Sequence, residues 1–593
     1  MSFIKYTLAA LFAIFLFFGI LLFIGLGSIW MASGDAPQVK ANSILYATFD
    51  KPIGETGVES PFEGLDVPIG PDSRAGLDDI RRALNNARND DNIKGVLLNL
   101  SGIPAGMAKI DAIRDELLAF RDTDKFVMAY GEGFSQKAYY LATAADEVYL
   151  NPSGAMELKG FSAQLSFFKN MLDRLEIEPQ IFYAGKFKSA TEPFRMAEMS
   201  PENRDQITAL LNQYYELFVG DIADARNLPV AQVRTIIDSL KVQFPSDAVE
   251  LGVIDGEAYY DEVLAKLRDK IGIDSDESIP FVKMSKYIQA LPAESGGYSK
   301  DKIAVVYAEG GIVDGPGTEE EIGSGRFAKI LRKIREDDKV KAVVMRVNSG
   351  GGSALASDII WREIEMLKEK GIPVVTSMGD VAASGGYFIA ANSDKIFAEE
   401  YTITGSIGVF GVLANFEKFY NKKLGITFDE VNTGPYADFP NSFMLTDEIT
   451  EGQKVVIQKF IDKIYLQFKG RVADGRGLTI EQVEEIAQGR VWTAEAAKDV
   501  GLVDEIAGID AAIDAAASLA GLEMGDYRTA KYPKSEDPLE KLLKGFSGEA
   551  EDEVMMRYLQ SELGGHYKYI KQLHDLTKMN RAQMRMPFEI DIY

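Results

Sequence analysis

The sequence contains no cysteine and only two histidines, His566 and His574, in 593 residues. The absence of cysteine excludes a disulfide framework and a thiol nucleophile. Both histidines lie near the C-terminus, outside the two similar segments described below, so a Ser-His-Asp triad within those segments is excluded. The scarcity of histidine also argues against a histidine-ligated zinc site. No EF-hand or Walker spacing occurs, and we expect neither a metal site nor a cofactor.

Positive charge is also scarce, with 64 lysines and arginines against 90 acidic residues and a net charge of −26. This balance argues against nucleic acid and against an anionic membrane surface as partners, because both attract basic patches. Hydrophobic residues make up 46% of the chain, an ordinary value for packed globular domains. A chain of this length has room for two sizeable domains and additional segments.

The second half of the chain repeats the first about 248 positions later. The matched segments are 83–101 with 330–348 at 247 positions, Asp146 with Asp394 at 248, and Gly252 with Gly501 at 249. The spacing changes by only two positions along the repeat, which indicates an internal duplication rather than a chance similarity.

The two copies differ at two positions that can carry chemistry. The C-terminal copy has Ser384 where the N-terminal copy has Gln136, whereas the N-terminal copy has Lys188 where the other has Ala437. One active site assembled from both copies would explain why each copy retains one group. Ser135 is adjacent to Gln136, so a one-residue gap in the alignment would place Ser135 opposite Ser384 instead.

Residues 6–34 contain no charged side chain. This stretch exceeds the roughly 20 residues needed to cross a bilayer and the apolar core of about 7–15 residues found in cleaved signal peptides. The sequence after it is also a poor cleavage site, so we expect an uncleaved transmembrane anchor. Lys5 precedes the stretch, and the positive-inside rule then places the N-terminus in the cytoplasm and the body of the protein on the other side.

Short apolar runs, such as 94–100 and 341–347, alternate with helical segments such as 353–371. Such runs are typical of strands buried on both faces, and repeated β-α-β crossovers predict parallel sheets covered by helices. The expected fold class is therefore α/β with two tandem copies. The predicted segments are an anchor and linker, 1–40, an N-terminal domain, 41–296, a C-terminal domain, 297–527, and a helical tail, 528–593.

Two glycine-rich turns, 346–352 (RVNSGGG) and 382–386 (AASGG), follow strands of the C-terminal copy. Each leads into a helix, and helix N-termini offer unpaired backbone N–H groups. The N–H of Gly385 and that of a glycine in the first turn are therefore candidates to hold an oxyanion. Ser384 in the second turn is either a nucleophile or an ordinary helix N-cap, and the mismatch between the copies favours the nucleophile.

A serine nucleophile in these domains needs a base other than histidine. Lysine serves if burial lowers its pKa towards neutrality, so that the free amine accepts the proton. Lys188 has apolar neighbours, including Phe187 and Phe194, which is consistent with such burial. Lys186, two residues earlier, is the alternative base.

Four motifs, RVNSGGG, AASGGYF, TGSIGVFG and KFKSATEPF, resemble those of the signal peptide peptidase A family in its long two-domain form. The resemblance covers the chain from its N-terminal segment to about residue 530. It implies a ClpP- and crotonase-like fold, duplicated in tandem, and a membrane-anchored Ser-Lys protease. It also implies a homo-tetramer in the inner membrane, with the catalytic body on the periplasmic side.

Carried over by motif, the resemblance implies a role for each of five residues. Ser384 would be the nucleophile, Lys188 the general base, and Ser406 the hydroxyl that orients the lysine amine. Gly352 and Gly385 would supply backbone N–H groups to the oxyanion.

The same motif selects Lys188 over Lys186. The chain departs from the family at Gly350, where the family has proline, and we expect little effect because no donor is lost. The expected function is a serine endopeptidase that degrades cleaved signal peptides and other short hydrophobic peptides. The alternatives are a crotonase-like acyl-CoA enzyme and a non-catalytic membrane scaffold, in which Ser384 and Lys188 would lie far apart.

Overall fold

The computed structural model describes residues 39–58, 74–291, 299–440, 444–534 and 582–586, together with the isolated residues Tyr6, Leu16, Tyr567 and Lys571.

The strands, in chain order, are β1 (Ser43–Ala47), β2 (Ile53–Gly54), β3 (Ala75–Gly76), β4 (Ile93–Asn99), β5 (Phe126–Gly131), β6 (Glu147–Leu150), β7 (Glu178–Ala184), β8 (Gly256–Glu257), β9 (Phe281–Lys283), β10 (Asp301–Glu309), β11 (Gly311–Val313), β12 (Glu321–Gly323), β13 (Val340–Ser349), β14 (Gly351–Ser353), β15 (Val374–Ala383), β16 (Lys395–Ala398), β17 (Ile403–Gly405), β18 (Val409–Asn415), β19 (Met444–Leu445), β20 (Val491–Thr493), β21 (Glu505–Ile506), β22 (Tyr527–Tyr532) and β23 (Gln583–Arg585).

The α-helices are α1 (Leu77–Asn89), α2 (Met107–Arg121), α3 (Gln136–Ala142), α4 (Lys169–Leu175), α5 (Glu192–Arg195), α6 (Pro201–Arg226), α7 (Val230–Asp238), α8 (Pro245–Glu250), α9 (Tyr260–Ile271), α10 (Met284–Ala290), α11 (Ser324–Glu336), α12 (Ala354–Glu369), α13 (Gly385–Ala390), α14 (Glu417–Phe419), α15 (Glu451–Arg476), α16 (Ile480–Ile486), α17 (Ala494–Asp499) and α18 (Ile509–Leu519).

Each half of the chain builds its own, mostly parallel sheet. The first has the order β8-β6-β5-β4-β1-β9, and all its strands are parallel. The second has the order β20-β17-β15-β13-β10-β22, with β16 and β21 attached beside β15. The central strands β4 and β13 are rich in valine, leucine and methionine and are buried along most of their length, as strands covered by helices on both faces require. The predicted α/β class with parallel sheets is confirmed.

A third sheet joins the two halves. Its order is β12-β11-β14-β23-β18-β19, and β7 also pairs with β18. The pairing of β7 with β18 is antiparallel, and it sets Ala184 of the first half opposite Val409 of the second. This sheet therefore fixes the position of one repeat relative to the other.

The hydrophobic cores of the two halves also interlock. Tyr401, Ile403 and Val491 belong to the large buried cluster of the N-terminal half. Phe182 from the N-terminal half is buried in the corresponding cluster of the C-terminal half. Full burial of one such aliphatic or aromatic side chain contributes about 1.5–3 kcal/mol, so the interface between the halves is held by the same force as each core.

The longest helix of one repeat has an equivalent of the same length in the other, with similar residue types at its ends. Helices α6 and α15 each contain 26 residues. The side chains of Ser200 and Thr450 cap their N-termini by accepting backbone N–H bonds, and left-handed residues, Asn227 and Gly477, end them. These are the residue types that favour helix starts and stops.

Equivalent tyrosines establish the alignment near the proposed nucleophile. The hydroxyl of Tyr139 donates to the carbonyl oxygen of Val253 at 2.7 Å, and that of Tyr387 donates to Leu502 at 2.8 Å. Tyr139 lies three residues after Gln136, and Tyr387 lies three residues after Ser384. The structure therefore sets Gln136 opposite the proposed nucleophile without a gap.

The prediction of a helical tail from residue 528 is wrong for the first residues of that tail. Residues Tyr527–Tyr532 form β22, which pairs in parallel with β10 and covers an otherwise open edge of the second sheet. Residues Gln583–Arg585 form a further strand. Tyr567 and Lys571 are helical, and the other predicted tail helices lie outside the described residues.

The predicted anchor, 6–34, lies outside the described residues except for Tyr6 and Leu16. Within the part of the chain that the structure describes, no helix is both long and apolar enough to cross a membrane. The anchor remains a prediction.

Candidate active site

The β7–β18 pairing brings Lys188 to Ser406. Because the two strands are antiparallel and Ala184 lies opposite Val409, the residues that follow β7 meet those that precede β18. Lys188 lies four positions after Ala184, and Ser406 lies three positions before Val409. Two distant parts of the chain thus meet at one end of a ladder.

Ser384 lies at a sharp turn between β15 and α13. Its φ angle is +54°, a left-handed conformation that is uncommon for residues other than glycine and that often occurs at functional sites. Its N–H donates to the carbonyl oxygen of Gly405 at 2.8 Å, and its side chain makes no capping bond to α13. The N-cap interpretation of Ser384 is therefore wrong.

The equivalent turn of the N-terminal repeat is an ordinary helix start. Ser135 accepts the N–H of Ala138 through its side chain and caps α3. The amide oxygen of Gln136 accepts the N–H of Lys159 at 2.9 Å. Ala437, which aligns with Lys188, is exposed.

The lysine amine contacts both serines. Lys188 Nζ lies 2.8 Å from Ser384 Oγ, 2.9 Å from Ser406 Oγ and 3.0 Å from the Ser406 carbonyl oxygen. Lys188 is 1% exposed, and both serines are fully buried. The scaffold alternative required Ser384 and Lys188 to lie far apart, and it is contradicted by this contact.

The environment of Lys188 favours its neutral form. Burial removes the ammonium from water and holds the pKa of Lys188 well below the ordinary lysine value. Lys186 differs, because it is exposed and its Nζ lies 5.1 Å from the centroid of the Phe187 ring.

The two glycine turns touch each other. Gly351 has a φ of +95°, and a Cβ on it would lie 2.6 Å from the backbone nitrogen of Gly385. The side chain of Ser349 supports the first turn by donating to Gly310 O at 2.6 Å and accepting the N–H of Gly351 at 3.1 Å. Gly352, the other proposed donor, follows directly in β14. Gly385, next to Ser384, therefore contacts the turn that leads into Gly352, the other proposed oxyanion donor.

Sequence reasoning missed Gln206, which holds the lysine segment in place. Its side-chain nitrogen donates to Phe187 O at 3.2 Å and to Ser189 Oγ at 3.0 Å, on either side of Lys188. Its side-chain oxygen accepts the N–H of Val491 from the other repeat at 3.3 Å. Gln206 lies in the second turn of α6, where no motif marks it.

Buried charges join the two repeats behind the glycine turns. Arg346, in β13, contacts Glu55 and Glu399 at 2.8 Å each. Lys109 of the first repeat contacts Asp380, four residues before Ser384, at 2.8 Å. Burial disfavours the charged carboxylate, yet the Lys109 ammonium holds the pKa of Asp380 below its usual value. Removing one partner of such a network leaves an uncompensated buried charge.

A cation could be held elsewhere, within the described residues, by three carboxylates. One ligand atom from each of Glu430, Asp438 and Asp447 lies within 4.8 Å of the other two. Two of these residues are exposed, and none of them contacts Ser384 or Lys188 in the interactions described here.

Comparison with known proteins identifies the family. The family model described as peptidase family S49 matches residues 119–274 and again residues 366–523. Protease 4 of Haemophilus influenzae is 35% identical over 515 residues, which cover 85% of this chain and 83% of that protein. Protease 4 of Salmonella typhi is 35% identical over 530 residues, covering 86% and 83% respectively. The chloroplastic serine protease SPPA of Arabidopsis thaliana is 34% identical over 442 residues, covering 73% and 64%.

The chain belongs to peptidase family S49, a family of serine proteases. Two copies of the family domain lie in one chain, and the relatives are matched over most of their length. The chain thus has the long, two-domain form of signal peptide peptidase A, and the resemblance drawn from the four motifs is confirmed. A peptidase family lends no support to the acyl-CoA alternative.

Proposed function

We propose that the chain is a membrane-anchored endopeptidase with a Ser384–Lys188 catalytic dyad, and that its substrates are signal peptides and other short hydrophobic peptides. The observation that carries the proposal is the 2.8 Å contact between Ser384 Oγ and the Nζ of a fully buried lysine. A buried amine beside a hydroxyl is the arrangement by which lysine activates a serine nucleophile.

In the first step Lys188 acts as a base. Its amine donates its two hydrogens to Ser406 Oγ and Ser406 O, which directs the nitrogen lone pair towards Ser384. The lone pair accepts the Ser384 proton as Oγ attacks the substrate carbonyl carbon. The distance of 2.8 Å between Nζ and Oγ is within the ordinary range for proton transfer. Ser406 thereby orients the base.

The negative charge that develops on the carbonyl oxygen needs donors. The N–H groups of Gly352 and Gly385 lie at the adjoining glycine turns and are proposed to bind it. Each such donor is typically worth about 10²–10³-fold in rate. Glycine at these positions lets the backbone approach the reacting carbonyl closely.

The intermediate then collapses. The Lys188 ammonium returns its proton to the leaving amine, the peptide C–N bond breaks, and the acyl group stays bound to Ser384. Neutral Lys188 next removes a proton from water, whose oxygen attacks the ester. The ester C–O bond breaks, the acid product leaves, and the proton returns to Ser384.

The test compares the full chain with three variants on a fluorogenic hydrophobic peptide and on a serine-reactive fluorophosphonate. We expect Ser384→Ala and Lys188→Ala each to lose at least about a thousandfold in kcat/KM. The matched control Lys186→Ala retains activity, because its side chain is exposed. Full activity in either of the first two variants, with the fold intact, refutes the dyad.

The anchor and the location belong to the same proposal. They are supported by the uncharged stretch 6–34 and by Lys5 before it. We expect the full chain to resist carbonate extraction from membranes, and the body from Ala41 onward to be released. An added protease on the periplasmic side of the inner membrane is expected to reach the body. Extraction of the full chain by carbonate would contradict the anchor.

A homo-tetramer is also proposed, and the outer face of α15 supports it. Val455, Val456, Phe460 and Leu466 on this helix are each about half exposed, and apolar patches of this kind mark protein contacts. Light scattering of the purified chain is expected to give four copies. Phe460→Asp is expected to lower that number, and a monomeric wild type would contradict the proposal.

A further inference from the structure

A tyrosine hydroxyl in the N-terminal repeat lies between two carboxyl groups. The Oη atom of Tyr140 is 2.6 Å from Asp111 Oδ1 and 2.7 Å from Asp221 Oδ2. Each distance is that of an ordinary hydrogen bond between two oxygen atoms, and each bond requires a hydrogen. The tyrosine hydroxyl supplies one hydrogen, and an ionised carboxylate supplies none. One of the two carboxyl groups therefore carries a proton.

The proton belongs on Asp111, the more deeply buried of the two residues. Asp111 is 7% exposed, whereas Asp221 is half-buried and also accepts a hydrogen bond from the hydroxyl of Tyr401 at 3.1 Å. Burial raises the pKa of Asp111 well above the ordinary carboxyl value, and neighbouring carboxylates raise it further. The titratable and charged groups around Asp111 are Arg114 and Asp115 of α2, Tyr140 of α3, Asp221 of α6, and Glu400 and Tyr401 before β17.

The arginine in this group does not neutralise the two carboxyl groups by pairing with them. The guanidinium of Arg114 donates to Thr143 Oγ1 and to the backbone carbonyl oxygen of Asp221, each at 3.3 Å. Within the described part of the chain it forms no ion pair with the side chain of Asp111 or Asp221. Hydrogen bonds, and not a cation, therefore hold this pair of carboxyl groups together.

The equivalent positions of the C-terminal repeat form an ordinary ion pair. Arg471 Nη2 lies 3.7 Å from Asp358 Oδ1, and Gln467 Nε2 donates to the same oxygen at 2.7 Å. The fold therefore does not require a protonated carboxyl group at this place. The equivalent residues are Asp111 and Asp358, Tyr140 and Phe388, and Asp221 and Arg471.

The four residues Asp111, Tyr140, Asp221 and Tyr401, which we call the Asp111 cluster, join α6 to the chain that precedes Ser406. Tyr401 is fully buried, and α6 binds it at two points. The Tyr401 hydroxyl donates to Asp221, and the hydroxyl of Tyr214 donates to the Tyr401 carbonyl oxygen. Strand β17 begins two residues after Tyr401, so the cluster fixes the start of this strand relative to α6.

Both sides of the candidate dyad depend on these two elements. Gly405, the last residue of β17, accepts the N–H of Ser384 at 2.8 Å, and Ser406 follows it directly. Helix α6 carries Gln206, whose side chain holds the segment around Lys188. A shift of α6 relative to β17 therefore changes the distance between the lysine amine and the two serines.

We propose that Asp111 is a positioning residue, which keeps its proton in the folded protein and, through the Asp111 cluster, holds α6 against β17. This inference rests on the proposed function, because it takes Ser384 and Lys188 to be the catalytic pair. When Asp111 loses its proton, two negative carboxylates face each other across one hydroxyl, and the contact between the repeats weakens. The contribution of Asp111 to stability is therefore complete below about pH 3.9, the ordinary carboxyl value, and decreases as the pH rises through the raised pKa.

The first test is a matched pair of tyrosine substitutions in the full chain. Tyr140→Phe removes the hydroxyl between the two carboxyl groups, whereas Tyr139→Phe removes an equally buried hydroxyl, which donates to Val253 O. We expect Tyr140→Phe to lower kcat on the fluorogenic peptide about tenfold with KM little changed. We expect Tyr139→Phe to leave kcat unchanged. Equal kcat values for the two folded variants overturn the positioning role.

The second test follows the proton itself, and it decides the matter if Tyr140→Phe disturbs folding. The infrared spectrum of the folded wild type at neutral pH is expected to contain the C=O band of a protonated carboxyl group that is lost in Asp111→Asn. Asp111→Asn keeps a neutral group with a hydrogen-bond donor at this place, so it is expected to retain kcat, whereas Asp111→Ala lowers kcat about tenfold. Relative to Asp111→Asn, the urea midpoint of the wild type is expected to fall as the pH rises from about 5 to about 9.

Two outcomes contradict different parts of the argument. If Asp111→Asn changes neither the infrared band nor the dependence of the urea midpoint on pH, the proton on Asp111 is refuted and the dyad stands. If the band is lost as expected but the wild type does not hydrolyse the peptide, the proposed function fails, and the positioning role fails with it.

Discussion

Gly489 packs directly against Lys188. A Cβ on Gly489 would lie 2.6 Å from the Cβ and from the backbone nitrogen of Lys188, closer than carbon atoms approach in folded proteins. The φ of Gly489 is +79°, and its N–H donates to Ile407 O at 2.8 Å. The segment that carries Gly489 thus lies between the lysine and the chain after Ser406.

Gly489→Ala is therefore expected to displace the lysine. The added methyl group moves the amine away from Ser384 Oγ, and a displacement of about 1 Å can cost about 100-fold in rate. The measurement is kcat on the fluorogenic peptide. Gly501→Ala is the matched control, because Gly501 has a φ of +80° with nothing within 4 Å of its added Cβ.

Both substitutions force alanine into a left-handed conformation, which costs about 1 kcal/mol. Gly489→Ala adds a steric clash with Lys188 to this shared backbone cost, so we expect it to lose more stability than Gly501→Ala, and we expect kcat of the folded protein to fall for Gly489→Ala alone. An equal effect of both on kcat would show that the contact with Lys188 is unimportant.

The pH dependence of activity follows from the burial of Lys188. Burial lowers its pKa below the ordinary lysine value, and only the neutral amine accepts a proton. Activity is therefore expected to rise with pH as the lysine loses its proton, and to level off below the ordinary value of about 10.4. The measurement is kcat/KM from pH 5 to pH 11. A profile that rises only near pH 10.4 contradicts a desolvated base.

Gln206→Leu is expected to act on the site through the chain around Lys188. The substitution removes the bonds to Phe187 and Ser189 on both sides of the lysine. We expect kcat to fall by about tenfold or more with KM little changed, because Gln206 does not contact the substrate groove in the interactions described.

The control for that prediction is Gln453→Leu. Gln453 is equally buried and caps α15, with its side-chain nitrogen 3.0 Å from Asp438. Loss of its bonds is expected to cost stability of about 1–3 kcal/mol without a change in kcat. If kcat fell equally in Gln206→Leu and Gln453→Leu, the effect of Gln206 would be on stability alone and not on the position of Lys188.

Arg346→Met is expected to destabilise the fold. Arg346 is 1% exposed and pairs with two buried carboxylates, Glu55 and Glu399. Removing the guanidinium takes away the salt-bridge partner of Glu399 and leaves Glu55 with only Lys109, at 3.8 Å, at a cost of about 3–5 kcal/mol in the free energy of unfolding. Urea unfolding followed by circular dichroism measures the change.

The exposed pair Arg362–Glu369 supplies the comparison. Its two atoms lie 2.8 Å apart, as in the buried pair, but both side chains are more than half exposed. Arg362→Met is expected to change stability by less than about 1 kcal/mol. Equal effects of the two substitutions would contradict the role of burial.

Much of the architecture could be read from local patterns. Apolar runs such as 341–347 became the central strand β13, because a strand covered on both faces needs apolar residues throughout. The tail from residue 528 could not be assigned in this way. Its first residues form a strand because the open edge of β10 offers backbone partners, and that edge exists only in the folded sheet.

The duplication, the family motifs and the mismatch of Ser384 with Gln136 were properties of the sequence by itself. They led to both members of the proposed dyad, because the lack of histidine within the repeats and the difference between the two copies can be read directly from the sequence. Gln206 and Gly489 carry no such mark, and neither does the placement of Tyr140 between two carboxyl groups. Only the tertiary structure decided these, because an antiparallel ladder between β7 and β18 and the packing of α6 against Tyr401 bring together residues that lie hundreds of positions apart.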